Sequence, residues 1–301
     1  MTLPTTLPTT HVSFPSGAVT GDSTVLAVHP LADGRHAVVT AATPFHPLDH
    51  TWPDQPADTG TLSLAGVEYP VVDCLTGAVG PDGGEPLVGP EIPVRRGDEA
   101  WSWLVLHVLE QAPAADAVGQ PVTLTVDADR RAALSAAHTG CHLLALALNA
   151  ALAPRWRKDP GRADAFGNPD FDSLAMASSS MTTEASTDVY RLGKSLRKKG
   201  FTAEAADELP ALADALPAIT AEVNERLAGF VAADAPVRIE VPGPELTARR
   251  RWHCELPAGP AEIACGGTHL HRLGQLAELC TELTLSADGT ELTAVTRPKQ
   301  I

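Results

Sequence analysis

The chain has 301 residues, a length that suits two ordinary domains. Hydrophobic residues make up 44%, which favours sizeable cores over wholesale disorder, and aromatics at only 4% predict aliphatic cores. A formal charge of −15 argues against non-specific nucleic-acid binding by the chain as a whole, but RWRK at 155–158, RLGKSLRKKG at 191–200 and ARRR at 248–251 concentrate positive charge locally.

The Thr/Pro-rich start, MTLPTTLPTTHVSFPSG, lacks the basic and apolar regions of a secretory signal and reads as a loose lead-in. No apolar run approaches the roughly 18 residues of a bilayer crossing, so a cytoplasmic location without membrane contact is expected. Residues 24–72 read as β structure. TVLAVHP and HAVVTAA flank LADGR, where Asp33-Gly34 signals a hairpin turn, and TLSLAGVEYPVV gives two more strands around a Gly-containing turn. The Gly/Pro-rich stretch 76–93 is a loop or excursion, and WSWLVLHVL at 101–109 fits a buried strand or a short helix. Residues 1–118 thus predict a small, mostly β, barrel-like domain.

Residues 119–301 change character. PVTLTV is a strand, and Asp127 or Asp129 can cap the helix that follows. Arg130 to Leu152 contains no proline and one glycine, Gly140, in an Ala/Leu-rich stretch with a wide apolar face, and Pro154 marks its end. Residues 154–190 show no periodicity and suggest an excursion from the core. A basic helix or turn follows at 191–200, then helix over 203–233, divided or started by Pro210 and Pro217. VRIEVPG, RRWHCELP and AEIAC are short strands, and LTLSADGTELTAV is a hairpin around Asp288-Gly289. The fold class is α+β with an antiparallel sheet in the second half.

Five cysteines, odd in number and widely spaced, do not form a disulfide framework; no disulfide partner is expected. One of them belongs to a different pattern. In HTGCH, His138 and His142 stand four apart on one helix face, so both can present a nitrogen to one ion. In CGGTH, Cys265 and His269 supply two more donors, with two glycines between them for a tight turn. Imidazole and thiolate together suit zinc. A lone H-x-x-x-H on an apolar helix is weak evidence, and the second half strengthens it; Thr139 in place of Glu excludes the H-E-x-x-H metalloprotease pattern.

DADRRAALSAAHTGCHLL, followed far downstream by ACGGTH, resembles the editing domain shared by alanyl-tRNA synthetases and the free-standing AlaX-type aminoacyl-tRNA deacylases. The resemblance rests on Asp127, Arg130, Arg131, His138, Thr139, His142, Leu143, Leu144, Cys265, Gly267, Thr268 and His269. TPFHP and DQPADTGTL within 43–62 are similar to the family's Thr-Pro-Phe-Tyr-Pro and Gly-Gly-Gly-Gln-Pro-x-Asp-x-Gly segments, and VNERLAGFVAADAPV to the stretch before the final motif. The resemblance touches both halves of the chain. It departs at Trp52, Pro53 and Asp54, which replace the three glycines, and over 154–200, which has no counterpart.

The resemblance implies that residues 119–301 are a two-layer editing domain holding one Zn2+ through His138, His142, Cys265 and His269. It implies a free-standing hydrolase that cleaves the ester of a mischarged tRNA, engaging the charged 3′ end, with seryl- or glycyl-tRNA for alanine as substrate. The altered loop leaves a threonine or threonine-analogue tRNA, such as fluorothreonyl-tRNA, as an alternative. A further alternative is a non-catalytic zinc-containing module that binds tRNA or nucleotide. Gln55 and Asp58 match the family's loop and are expected either to line the pocket or to form a surface turn. Thr139 and Thr268, beside ligands, can orient water or the amino acid, or be ordinary helix and turn residues. Arg130 and Arg131 near a helix start oppose its dipole, which points to a salt bridge or a phosphate contact, or they form a solvated helix end. Arg191, Lys194, Arg197, Lys198 and Lys199 form a cationic surface suited to tRNA phosphates, or a solvated basic face. His46, His50, His253 and His271 are not expected to be ligands.

Overall fold

In the computed structural model, residues 7–206 and 208–301 are described. The first six residues of the Thr/Pro-rich start, and Asp207 in the stretch expected to be helical, lie outside them. The chain forms two compact units: Met1–Ala132 with Ile239–Arg250 and Cys265–Thr268, and Ala133–Arg238 with Arg251–Ala264 and His269–Ile301. The fold is α+β.

The first unit is built on β1 (His11–Val12), β2 (Thr20–Pro30), β3 (His36–Thr40), β4 (Ala42–Thr43), β5 (Gly60–Leu64), β6 (Val67–Val79), β7 (Leu87–Val88), β8 (Ser102–Leu109) and β9 (Pro121–Val126). The large sheet runs β5-β9-β2-β3-β8-β6-β7, and a further β5–β6 pairing closes it into an antiparallel barrel with β7 appended to β6. Both sequence-predicted hairpins form. Gly34 takes a φ of 86°, and Ala65 and Gly66 take 51° and 79°, the left-handed pair a two-residue hairpin requires. The 101–109 segment is a strand. It is buried almost throughout, so it reads as a continuous apolar run without the alternation that tells strand from helix. Closure gives the interior one packed core, with Phe45, Leu62, Cys74, Trp103, Val105, Leu109 and Leu124 fully buried. β9, grouped in the sequence with the residues after 119, pairs with β2 and β5 in this barrel.

The second unit contains most of α1 (Ala128–Leu152), then α2 (Phe171–Ala175), β10 (Met176–Met181), β11 (Ser186–Arg191), α3 (Lys194–Lys199) and α4 (Leu212–Ala233). It continues with the start of β12 (Val237–Glu240), then β13 (Arg251–Leu256), β14 (Gly259–Ala264), β15 (Leu276–Leu285) and β16 (Glu291–Gln300). A four-stranded antiparallel sheet runs β10-β11-β16-β15, and a smaller one runs β12-β13-β14. α1 approaches the larger sheet closely at Gly140, where a Cβ would lie 3.0 Å from Leu279 Cδ1. α4 is pinned to β15 by Asn224, whose amide donates to the Thr281 carbonyl and accepts from the Thr281 N–H.

Three expectations change here. Residues 176–191 are not an excursion but a hairpin in the sheet; their serines and threonines lack the apolar alternation that marks a strand. Pro217 does not divide a helix but lies inside α4, whose buried face of Leu212, Ile219, Val223 and Leu227 outweighs the one backbone bond lost. The helix Ala128–Arg155 is long and apolar enough to cross a bilayer, contrary to the sequence expectation, but 83% of its apolar stretch is buried within the protein, as in a core helix.

Candidate metal centre

Asp127, not Asp129, caps α1: its carboxylate accepts from the Arg130 N–H at 3.0 Å, satisfying one of the helix's free donors. One and a half heptads along, His138 and His142 stand a turn apart with ring centroids 5.0 Å from each other. The His269 ring lies 4.3 Å from that of His138 and 5.0 Å from that of His142. β14 leads directly into Cys265, whose N–H donates to the Arg250 carbonyl at 3.2 Å. The ligand atoms of His138, His142, Cys265 and His269 all lie within 4.8 Å of one another, a group that can hold a metal ion. Neither Gly266 nor Gly267 has a positive φ, so the turn between the two donors is not the left-handed one that would require glycine.

The donor set fits a metal on two counts. The His142 Nε2 is a buried polar atom with no hydrogen-bond partner, a costly state unless it is a ligand. Burial pushes the His142 imidazole down to about 4, so at neutral pH it is uncharged and its lone pair is available. Burial pushes the Cys265 thiol up to about 12; a Gly267 backbone N–H opposes this and the nearby Asp54 charge adds to it. A thiolate there needs a compensating cation.

The loop residues Gln55 and Asp58 are buried. Gln55 is buried; its Nε2 donates to Thr268 Oγ1 at 2.8 Å and its Oε1 accepts from the Thr268 N–H at 3.0 Å. This two-point clamp fixes the residue before His269. Asp58 is fully buried, accepting from Arg131 Nε at 2.9 Å, from Arg131 NH2 and from the His46 N–H. Arg131 NH2 also donates to the Pro44 carbonyl at 2.8 Å, and NH1 to that of Ala18. Burial pushes His46 down to about 4, with the Asp58 charge opposing. Thr139 is fully buried, with its hydroxyl 3.3 Å from His269 Nδ1 and accepting the Leu270 N–H at 3.1 Å. With the proton on Nδ1, this contact orients the ring and makes Nε2 the nitrogen that can ligate.

These contacts revise several roles. The Arg131 side chain is buried and all its nitrogens are committed inside the first unit, which favours the salt bridge among its expected roles. Asp58 and Gln55 are buried rather than on a surface turn, and their polar atoms are engaged in the hydrogen bonds above. Thr139 contacts the His269 ring and the Leu270 N–H, and Thr268 is held by Gln55. Arg130 is half-buried, with NH2 donating to the Ala57 carbonyl at 3.3 Å. Arg191, Lys194, Arg197, Lys198 and Lys199 are all exposed. His46, His50, His253 and His271 stand outside the four-residue group.

Trp252, read in the sequence only as part of a strand, packs against His142 and His269 with ring centroids 5.2 and 6.3 Å away. Its signal was the alternation of Trp252, Cys254 and Leu256, which are the buried face of β13. No known protein-family model matches the chain.

Proposed function

We propose that this protein is a metal-dependent aminoacyl-tRNA deacylase that hydrolyses the ester between an amino acid and the terminal ribose of a mischarged tRNA. The observation that carries the reading is the convergence of His138, His142, Cys265 and His269 within 4.8 Å, at positions where the sequence resembles the AlaX-type editing proteins. The buried Gln55–Thr268 clamp supports it, because both partners lie in motifs of that resemblance.

The metal is zinc, on the chemistry of three imidazoles and one thiolate. When bound, such an ion supplies Lewis-acid polarisation of a carbonyl or a lowered pKa for a water molecule. The chain's own residues do the rest. Thr139 sets the His269 ring, Gln55 holds the backbone at Thr268, and Trp252 walls His142 with an apolar surface that excludes water. The substrate is seryl- or glycyl-tRNA for alanine. Trp52, Pro53 and Asp54, in place of the related family's three glycines, make threonyl- or fluorothreonyl-tRNA the competing substrate.

One observation favours a second reading, a non-catalytic zinc module: His138, His142, Cys265 and His269 would together fill all four positions of a tetrahedral ion, whereas catalytic zinc keeps one position open. A panel of tRNAs carrying cognate and near-cognate amino acids, incubated with micromolar protein with and without chelator, separates the two. Chelator-sensitive hydrolysis of a seryl-, glycyl- or threonyl-type ester supports the deacylase. Complete absence of hydrolysis across the panel sinks it and leaves the binding module.

A further inference from the structure

The three basic stretches of the sequence meet different fates. ARRR at 248–251 does not form a cationic face. Arg250 is buried over the Phe14 ring at 5.6 Å and donates to the Glu245 and Leu246 carbonyls, and Arg251 is paired with Glu262. The other two, some forty residues apart, are joined. The Arg157 N–H donates to the Gly200 carbonyl at 2.9 Å, and the Thr202 N–H to the Arg155 carbonyl at 3.0 Å. Trp156 and Phe201 form an antiparallel bridge and pack edge to face at 5.3 Å. Gly200 ends α3 with a φ of 112°, and a Cβ there would lie 2.7 Å from Lys158 Cγ, so only glycine admits this approach.

RWRK therefore lies beside the last turn of α3, which carries Arg197, Lys198 and Lys199. The side chains of Arg157, Lys158 and these three are all exposed. Four of the chain's five lysines fall between 158 and 199, in a protein of net charge −15. Cations in a last helical turn favour the helix dipole, which accounts for Arg197 to Lys199 alone. It does not account for a second cationic segment held against them. Trp156, Arg157, Lys158 and Arg162 also line a cleft of about 410 Å³, the size of small-ligand sites.

We infer that residues 155–202 form an RNA-binding platform, in which phosphates contact the two joined cationic segments and one unstacked nucleotide enters the cleft beside Trp156. Positive charge interleaved with an aromatic is the pairing that single-stranded RNA requires. An anionic membrane is the poorer partner, because among the described residues none of the large exposed hydrophobics, Trp52, Val67, Val72, Val118, Val241 and Ile301, lies in this segment. The inference deepens the tRNA reading and extends it to a region where the family resemblance fails, but it does not require hydrolysis.

The test is fluorescence anisotropy of the full chain with an uncharged stem-loop RNA bearing a single-stranded 3′ end, titrated with salt. The RNA carries no ester, so its outcome is separate from that of the deacylation panel. R157A/K158A and K198A/K199A should each flatten the slope of log affinity against log salt by about 1.4–1.8, two contacts at roughly 0.7–0.9 each, and the quadruple variant by about twice that. Trp156→Phe, which keeps a ring against Phe201, should weaken binding several-fold with the slope unchanged. An unchanged slope in either pair overturns the joined platform, as does equal competition by anionic phosphatidylserine vesicles. Unchanged affinity in Trp156→Phe overturns the cleft.

Discussion

Replacing Arg131 by Met separates the two roles open to it from sequence. In the structure its side chain is 6% exposed and that of its Asp58 partner 0%. Removing it leaves a buried carboxylate facing only the His46 N–H, and leaves the Pro44 and Ala18 carbonyls without this donor. Breaking a buried pair in this way costs about 3–5 kcal/mol, chiefly because the remaining charge stays desolvated. The double variant D58N/R131M removes that charge, so it should lose less than the sum of the single variants, with a coupling of about 2–3 kcal/mol. Urea unfolding followed by circular dichroism reads these differences as shifts in midpoint at constant slope. RNA titrations of the same variants read the competing role. If Arg131→Met left stability within about 1 kcal/mol of wild type and flattened the salt dependence by roughly one phosphate contact, the buried-brace assignment would be wrong.

Alanine at any one of His138, His142, Cys265 or His269 should reduce bound zinc below one equivalent, measured by elemental analysis after gel filtration, and abolish chelator-sensitive deacylation; full retention of metal by all four variants would refute the centre. Gln55→Ala and Thr139→Val, which touch the ligand-bearing segment without supplying a donor, should lower metal affinity about 10–100-fold in competition with a chromophoric chelator, and unchanged affinity in both would remove their positioning role. Asp172 gives a pH prediction. Burial raises its carboxyl from an ordinary value of 3.8 to about 7, against an opposing hydrogen bond from Tyr190, with the charges of Asp188 and Asp170 raising it further and Arg162 lowering it. The native state therefore holds this proton more tightly than the unfolded chain. Its stabilising effect is full below about 4 and is lost as pH rises to about 7, by up to about 4 kcal/mol over three units. Asp172→Asn should flatten the stability profile across that window in denaturation at pH 4, 5.5 and 7; a parallel profile would contradict the assignment.

How far the site was legible from sequence depends on the range of each contact. His138 and His142 were readable because helical spacing is local: residues four apart share a face whatever the tertiary fold. The Asp33-Gly34 and Asp288-Gly289 hairpins were readable for the same reason, since φ values of 86° and 68° at the glycines are set within the turn. The pairing of Cys265 with His269 was readable as donor chemistry, but its meeting with a helix more than a hundred residues earlier was an expectation that only packing could test. Arg131 shows the limit. Sequence left it between a salt bridge, a phosphate contact and a solvated helix end, because burial decides between them and burial is not local.

By itself, then, the sequence determined the α+β class, the long core helix with its two histidines, the hairpin turns and the four donors of the candidate centre. Each follows from short-range periodicity or from the chemistry of single residues. Only the tertiary structure decided that the first sheet closes through β5 and β6, that 176–191 are strands, that Gln55 and Asp58 are buried braces, and that RWRK lies against α3. Those outcomes come from hydrogen bonds and burial between segments distant in the chain, whose free energy depends on what each segment packs against rather than on the residues within it.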